Sequence, residues 1–152
     1  MFKHILVPTD GSALSAETVA RAISFAKDAK ARLAFLYVQP DYPVSYFGEG
    51  ALVDPTTPES FAQMTARVAE EILSRSAAAA RQAGIEAQTI TVINDLPYQA
   101  IVDTAQEAGC DLILMTSHGH RGLANLLLGS ETQKVLSHTN IPVLVYRSSK
   151  DN

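Results

Sequence analysis

The sequence predicts a doubly wound α/β fold: one five-stranded parallel sheet with helices on both faces. Three observations predict it. Residues 3–9, 32–38, 111–117 and 141–147 are short runs, apolar almost throughout, as in strands covered on both sides. Segments with a helical period separate them. Strand and helix alternate as βαβ-αβ-αβ-αβ, which calls for parallel strands and right-handed crossovers.

The first run, KHILVPT, ends at Pro8 and Asp10-Gly11. Residues 12–31 then place Leu14, Val19, Ala22, Ile23 and Ala26 on one helical face, with Ser12 as N-cap. RLAFLYV is the second strand. Residues 39–57 hold three prolines and three aromatics without a period, which reads as a binding loop or lid. The long helix after it is capped by Thr57, opens at Pro58 and stops at Gly84, with an inner stripe of Phe61, Met64, Val68 and Ile72. EAQTITVI alternates, as an edge strand does. A helix over 97–109 follows, with Asp95 near its start and Gly109 at its end. DLILMTS is a buried strand. A helix over 131–140 begins at Ser130, which with Gln133 matches an S-x-x-Q capping box, and IPVLVYR closes the sheet. The whole of 1–152 reads as a single domain, without internal repeat or low-complexity tract.

Net charge is −4 and the basic residues are scattered, which argues against nucleic-acid binding. No stretch approaches the ~18 apolar residues of a membrane span, and the N-terminal run is too short for a signal peptide. Cys110 is the single cysteine, expected to be buried rather than reactive, and points to a reducing compartment. A cytoplasmic location is the expectation.

Open parallel sheets bind ligands beyond the C-terminal ends of their strands. The candidate loops follow strand 1 (Pro8, Thr9, Asp10), strand 2 (from Val38) and strand 4 (Thr116 to Ser130), and they converge if strands 1 and 4 are neighbours. The last holds two glycine corners, Gly119 and Gly129-Ser130. A helix beginning there offers bare amides and a partial positive charge, and small residues let an anion reach them. The same spacing also fits a turn with an ordinary capping box. Asp10 fits a ribose-binding carboxylate or a helix cap, and the main chain of Val38 fits an adenine edge.

Other chemistries find little support. Ser117 and His118 are adjacent on a strand, so their side chains are expected on opposite faces, with no acid to orient the imidazole. His118 and His120 alone make a poor metal site, and His4 and His138 are expected at the surface or core edge. There is no P-loop, no G-x-G-x-x-G after strand 1 and no H-x-G-H of nucleotidyl transferases near it.

HILVPTDGSALSAETVARAISFA at the start, and SHG, nine residues, then GSETQKVLSHTNIPVLVYR at the end, resemble the universal stress proteins along the whole chain. The resemblance implies a Rossmann-like sheet with strand order 3-2-1-4-5, and homodimers, here through the strand between Ile141 and Arg147. It also implies ATP binding, with ADP or AMP as other candidates, through G-x-x-G, nine residues, then G-[ST]. In this chain that motif falls on Thr116, Gly119 and Gly129-Ser130, so Thr stands at the first glycine. The implied nucleotide contacts are Pro8, Thr9, Asp10, Val38, Met115, Thr116, His118, Gly119, Gly129, Ser130, Glu131 and Thr132. Mg²⁺ is a candidate bridge between phosphates. Without a general base or arginine finger, a binding module or switch with slow hydrolysis is expected rather than a committed enzyme. The alternative from the same fold is a nucleotide-free dimeric interaction protein.

Overall fold

The computed structural model describes residues 1–42, 57–118 and 128–148. Its strands are β1 (His4–Pro8), β2 (Arg32–Gln39), β3 (Ala87–Ile93), β4 (Leu112–Thr116) and β5 (Val143–Tyr146). Its helices are α1 (Ala13–Ala29), α2 (Pro58–Gln82), α3 (Pro97–Glu107) and α4 (Ser130–His138). The strands form one parallel sheet in the order β3-β2-β1-β4-β5, as expected.

Alternation along each strand sorts the core into two layers. Ile5, Val7, Leu33, Phe35, Leu112 and Leu114 face α1 and α2, meeting Val19, Ile23, Leu73 and Ala80. Leu6, Ala34, Leu36, Ile113 and Met115 face α3 and α4, meeting Ile101, Val102 and Val135. β1, at the middle, is buried on both faces, while every position of edge strand β3 is half-buried or exposed.

Two caps form as the sequence predicts. Ser12 Oγ accepts from Ser15 N at 3.1 Å, and Thr57 Oγ1 from Ser60 N at 3.1 Å. Three expectations are corrected. On α2 the buried positions are Ala69, Leu73, Ser76 and Ala80, whereas Met64 and Val68 are 54% and 41% exposed. The helix lies close to the sheet and turns its small residues inward, about one position round from the stripe of large ones. Second, α4 has Gly129, not Ser130, as its N-cap, and no side chain closes its first turn; Gln133 Nε2 instead donates to Leu128 O at 2.6 Å. Third, His4 is 4% exposed, not at the rim.

His4 sits at the start of β1 in a cluster drawn from three strands. The Asp111 carboxylate accepts from Lys3 N (2.9 Å) and His4 N (3.0 Å), and Asp111 N donates to His4 O at 2.9 Å, which clamps β1 to β4. Burial, aided by the Arg32 guanidinium, holds the imidazole below its usual 6.5. Burial pushes the Asp111 carboxyl up, but the amides of His4 and Lys3 outweigh it and hold it below 3.8. The unfolded chain therefore takes up a proton at His4 before the folded one does. Stability is full above pH 6.5, falls as pH drops through 6.5 toward the lower folded value, and falls again below 3.8 as Asp111 protonates. Urea midpoints should decrease between pH 7.5 and 5.5, and His4→Gln should flatten that limb. An unchanged slope in the variant would move the effect away from His4.

Candidate functional site

The site is set by the strand order. β1 and β4 are paired, with Ile5 opposite Leu112 and Leu6 opposite Ile113, so their C-terminal ends lie side by side. From there α1 leaves for one face of the sheet and α4 packs on the other, opening the crevice where such sheets take ligands. β2 flanks β1 with Pro8 opposite Leu36, and Thr9 N donates to Leu36 O at 2.8 Å. Pro8, Thr9 and Asp10 thus lie between the ends of β2 and β4.

Asp10 is half-buried where β1 turns into α1. Its Oδ1 accepts from Ser12 N at 2.9 Å, and its own amide donates to Ser15 Oγ at 3.2 Å. Buried Thr9 Oγ1 lies 2.6 Å from the same Ser15 hydroxyl. The carboxylate is therefore both a turn former and a charge at the crevice. Burial and then that charge push the neighbouring Tyr37 phenol above its usual value. Gly11, at φ +78°, lies under α2: a Cβ there would stand 2.7 Å from Ile72 Cδ1.

Val38 is half-buried near the end of β2. Leu36 O points to β1, accepting from Thr9 N, and Gln39 O points to β3, accepting from Asn94 N. Alternation turns the main-chain groups of Val38 toward β1, past Pro8, the last β1 residue in register with β2. They face the crevice.

The end of β4 is tied to α4 by a compact network. Ser117 O accepts from Gly129 N at 2.7 Å, and Thr132 Oγ1 donates to Thr116 O at 3.0 Å. Thr116 Oγ1 donates to His118 O. Thr116 keeps extended backbone; the one non-glycine residue with positive φ among the described residues is Lys30. The position of the first motif glycine thus imposes no left-handed conformation on threonine. Gly129 is small for a reason internal to the protein: a Cβ there would stand 3.1 Å from Ser117 O and 3.3 Å from His118 Cα. Its amide is used by Ser117, so the amides of the first turn left open are those of Ser130, Glu131 and Thr132, which have no partner within the helix. The Glu131 side chain turns away and caps α3, accepting from Tyr98 N at 2.8 Å. Met115 is buried in the sheet. Gly119 and 120–127 lie outside the described residues.

Ser117 and His118, expected on opposite faces, are in contact: Ser117 Oγ lies 2.9 Å from His118 Nδ1. β4 ends at Thr116, and the chain bends there, so strand alternation no longer applies. Ser15 meets Thr9 and Asp10, Ser117 meets His118, and Tyr37 feels the Asp10 charge; sequence reasoning did not select these three for the candidate site. Cys110 is buried, and burial followed by the Asp111 charge pushes its thiol up to about 11, so it is the inert thiol expected. No group of three metal-ligating side chains, and no helix long and apolar enough to cross a membrane, occurs among the described residues.

Two grooves flank α2, one of about 530 Å³ along β3 (Gln39, Glu70, Arg81, Thr89) and one of about 350 Å³ against α1 (Thr9, Gly11, Ile23, Ile72). The second reaches Thr9, yet neither gathers the predicted residues. The crevice above β1 and β4, where polar groups converge, is the stronger candidate.

Comparison with known proteins agrees with this architecture. Residues 1–147 match the profile described as "Universal stress protein family". Universal stress protein YxiE of Bacillus subtilis is 34% identical over 97% of this chain and 100% of its own. The solved structure of MJ0577, a universal stress protein of Methanocaldococcus jannaschii, superposes with TM-score 0.75 at 27% identity, covering 98% of this chain and 99% of that one. A universal stress protein solved in complex with cAMP superposes with TM-score 0.67 at 26% identity, covering 97% and 98%. With the family profile spanning nearly the full length and the strand order in accord, this chain belongs to the universal stress protein family.

Proposed function

We propose that this protein is a binding module or switch for an adenine nucleotide, ATP foremost, held above β1, β2 and β4. The observation that carries the reading is the uncapped first turn of α4 beside the Asp10 loop. Adenine pairs with the main chain of Val38, the ribose hydroxyls donate to Asp10, and the phosphates meet the amides of Ser130, Glu131 and Thr132; the family motif assigns Gly119, outside the described residues, to the same phosphates. Pro8, Thr9, Met115 and Thr116 form the floor and His118 one wall. Mg²⁺ bound along with the nucleotide would offset the charge of its phosphates, since no group of three metal-ligating side chains occurs among the described residues. The relative solved with cAMP supports an adenine nucleotide as the ligand class. The lone buried Cys110 fits action in the cytoplasm, and the exposed Leu144 on edge strand β5 fits a homodimer joined through 141–147.

Thermal shift and calorimetry with ATP, ADP and AMP, with and without Mg²⁺, test the reading. Nucleotide at 100 times Kd should stabilise by about 2.7 kcal/mol. Asp10→Ala should abolish the shift, but it also removes the acceptor of Ser12 N. Asp10→Asn keeps that acceptor and should still weaken binding about tenfold or more through lost ribose contacts. Full affinity in Asp10→Asn would remove Asp10 from the site.

A further inference from the structure

We infer that the outer edge of β3, with the groove beside α2, docks a second copy of this chain about a two-fold axis perpendicular to the sheet. The surface lies on the opposite edge from β5 and away from the nucleotide crevice, and it acts independently of both.

β3 pairs with β2 over all seven of its residues, Ala87 to Ile93, and among the described residues no strand pairs with its other side. Such an edge is normally blunted by a charge, a proline, a bulge or a short strand. AQTITVI has none of these, and its β-branched residues favour pairing. The ladder shows which groups the edge offers. Glu86 O accepts from Leu33 N, and Asn94 N donates to Gln39 O, so the even-numbered residues bond to β2. By alternation the main-chain groups of Ala87, Thr89, Thr91 and Ile93 point outward.

The groove of about 530 Å³ along this strand has the shape a second copy needs. Thr89 and Thr91 form its floor, and α2 forms one wall, with Ser74 and Ala77 between Glu70 and Arg81. Ile93, on the same face as the two threonines, is 61% exposed. α2 packs on both β2 and β3. With strands about 4.8 Å apart, joining the β3 strands of two copies sets their α2 helices about 10 Å apart across the axis, an ordinary helix-packing distance. The small side chains of Ser74 and Ala77 permit that approach.

Charge selects the occupant. Glu70 and Arg81 are both exposed, and neither joins an ion pair among the described residues. Their separation of eleven residues is close to three helical turns, so they point the same way, about 16 Å apart. The two-fold axis runs the two helices antiparallel, which sets Glu70 of each copy beside the partner's Arg81. The face is thus complementary to itself, as an isologous interface requires. β3 itself carries no charge, so its pairing forces no like charges together.

Sedimentation velocity tests this. Glu70→Arg and Arg81→Glu each set like charges against one another at both ends of the interface, and each should weaken association about tenfold or more. Tm should change little, since both side chains are exposed. Mixed in equal amounts, the two variants should recover the wild-type mass, as should both changes in one chain, because each arrangement restores opposite pairs. Thr91→Pro removes an outward N–H, leaves the ladder to β2 intact and should abolish the pair. The wild type should therefore sediment at twice the mass of the single variants or more, whether or not β5 also pairs. A wild type no heavier than the single variants would overturn the inference. So would single variants that associate as the wild type does, or a mixture that stays apart.

Discussion

Phe35→Ala is expected to destabilise the protein by about 3–5 kcal/mol, the usual loss for a large aromatic side chain removed from a closed core. Phe35 is fully buried in β2, between Val7 on β1 and Thr89 on β3, and faces the layer built by α1 and α2. Its neighbours are strand residues fixed by ladders on both sides, so collapse into the vacated space is limited. For a chain of this length each kcal/mol moves Tm by about 2–4 °C, so a fall of about 6–20 °C is expected. Urea unfolding should show a lower midpoint with unchanged slope. Met64→Ala makes the companion measurement. Met64 belongs to the apolar stripe that hydropathy assigns to the inner face of α2, yet it is 54% exposed, so its loss should cost less than about 0.5 kcal/mol. A cost above about 2 kcal/mol at Met64 would mean that α2 is rotated from the orientation described here.

That contrast separates what was legible in the sequence from what was not. β1, β2 and β4 were legible because burial on both faces leaves continuous apolar runs, and Ser12 and Thr57 because a cap is a matter of three residues. The stripe of α2 was not, because hydropathy gives weight to large residues, whereas a helix set close to a sheet is chosen for small ones such as Ala69 and Ala80. His4 stands in an apolar run, but its clamp to Asp111 spans 107 residues. α4 shows the same limit from the opposite side. S-x-x-Q is a valid local capping box, but Gly129 N is bonded to the end of β4, which shifts the helix start by one residue. Glu131 is used 33 residues away, on α3. Glycine and aspartate spacing nominates the corners of the candidate site at Asp10 and Gly129. Which amides remain open, and that Ser117 meets His118, depend on how β4 bends after Thr116, and no local pattern encodes that bend.

Gly129→Val should therefore fail in two measurable ways. Glycine spacing alone attributes the small residue to room for phosphate, which predicts a normal apoprotein with impaired binding. The structure adds a demand of its own. Gly129 has φ −57° and ψ 150°, which any residue can adopt, so backbone strain is not the reason. The reason is contact: even a single Cβ would press on the Ser117 carbonyl at 3.1 Å and on His118 Cα at 3.3 Å, backbone atoms held by the β4–β5 ladder through Ser117 N and Tyr146 O. Valine adds two methyl groups to that crowding. The 2.7 Å bond from Gly129 N to Ser117 O must lengthen and α4 must tilt from β4, at a cost of about 1–3 kcal/mol without any nucleotide. The tilt also carries the amides of Ser130, Glu131 and Thr132 away from the crevice, so ATP affinity should drop at least about tenfold. Gly129→Ala, with the Cβ alone, should show a smaller loss in both. Denaturation without ligand, followed by ATP titration of the folded variant, separates the two effects. If the apoprotein is as stable as wild type and only binding is lost, the glycine serves the ligand alone, and the close packing of α4 on the Ser117 carbonyl is not what selects it.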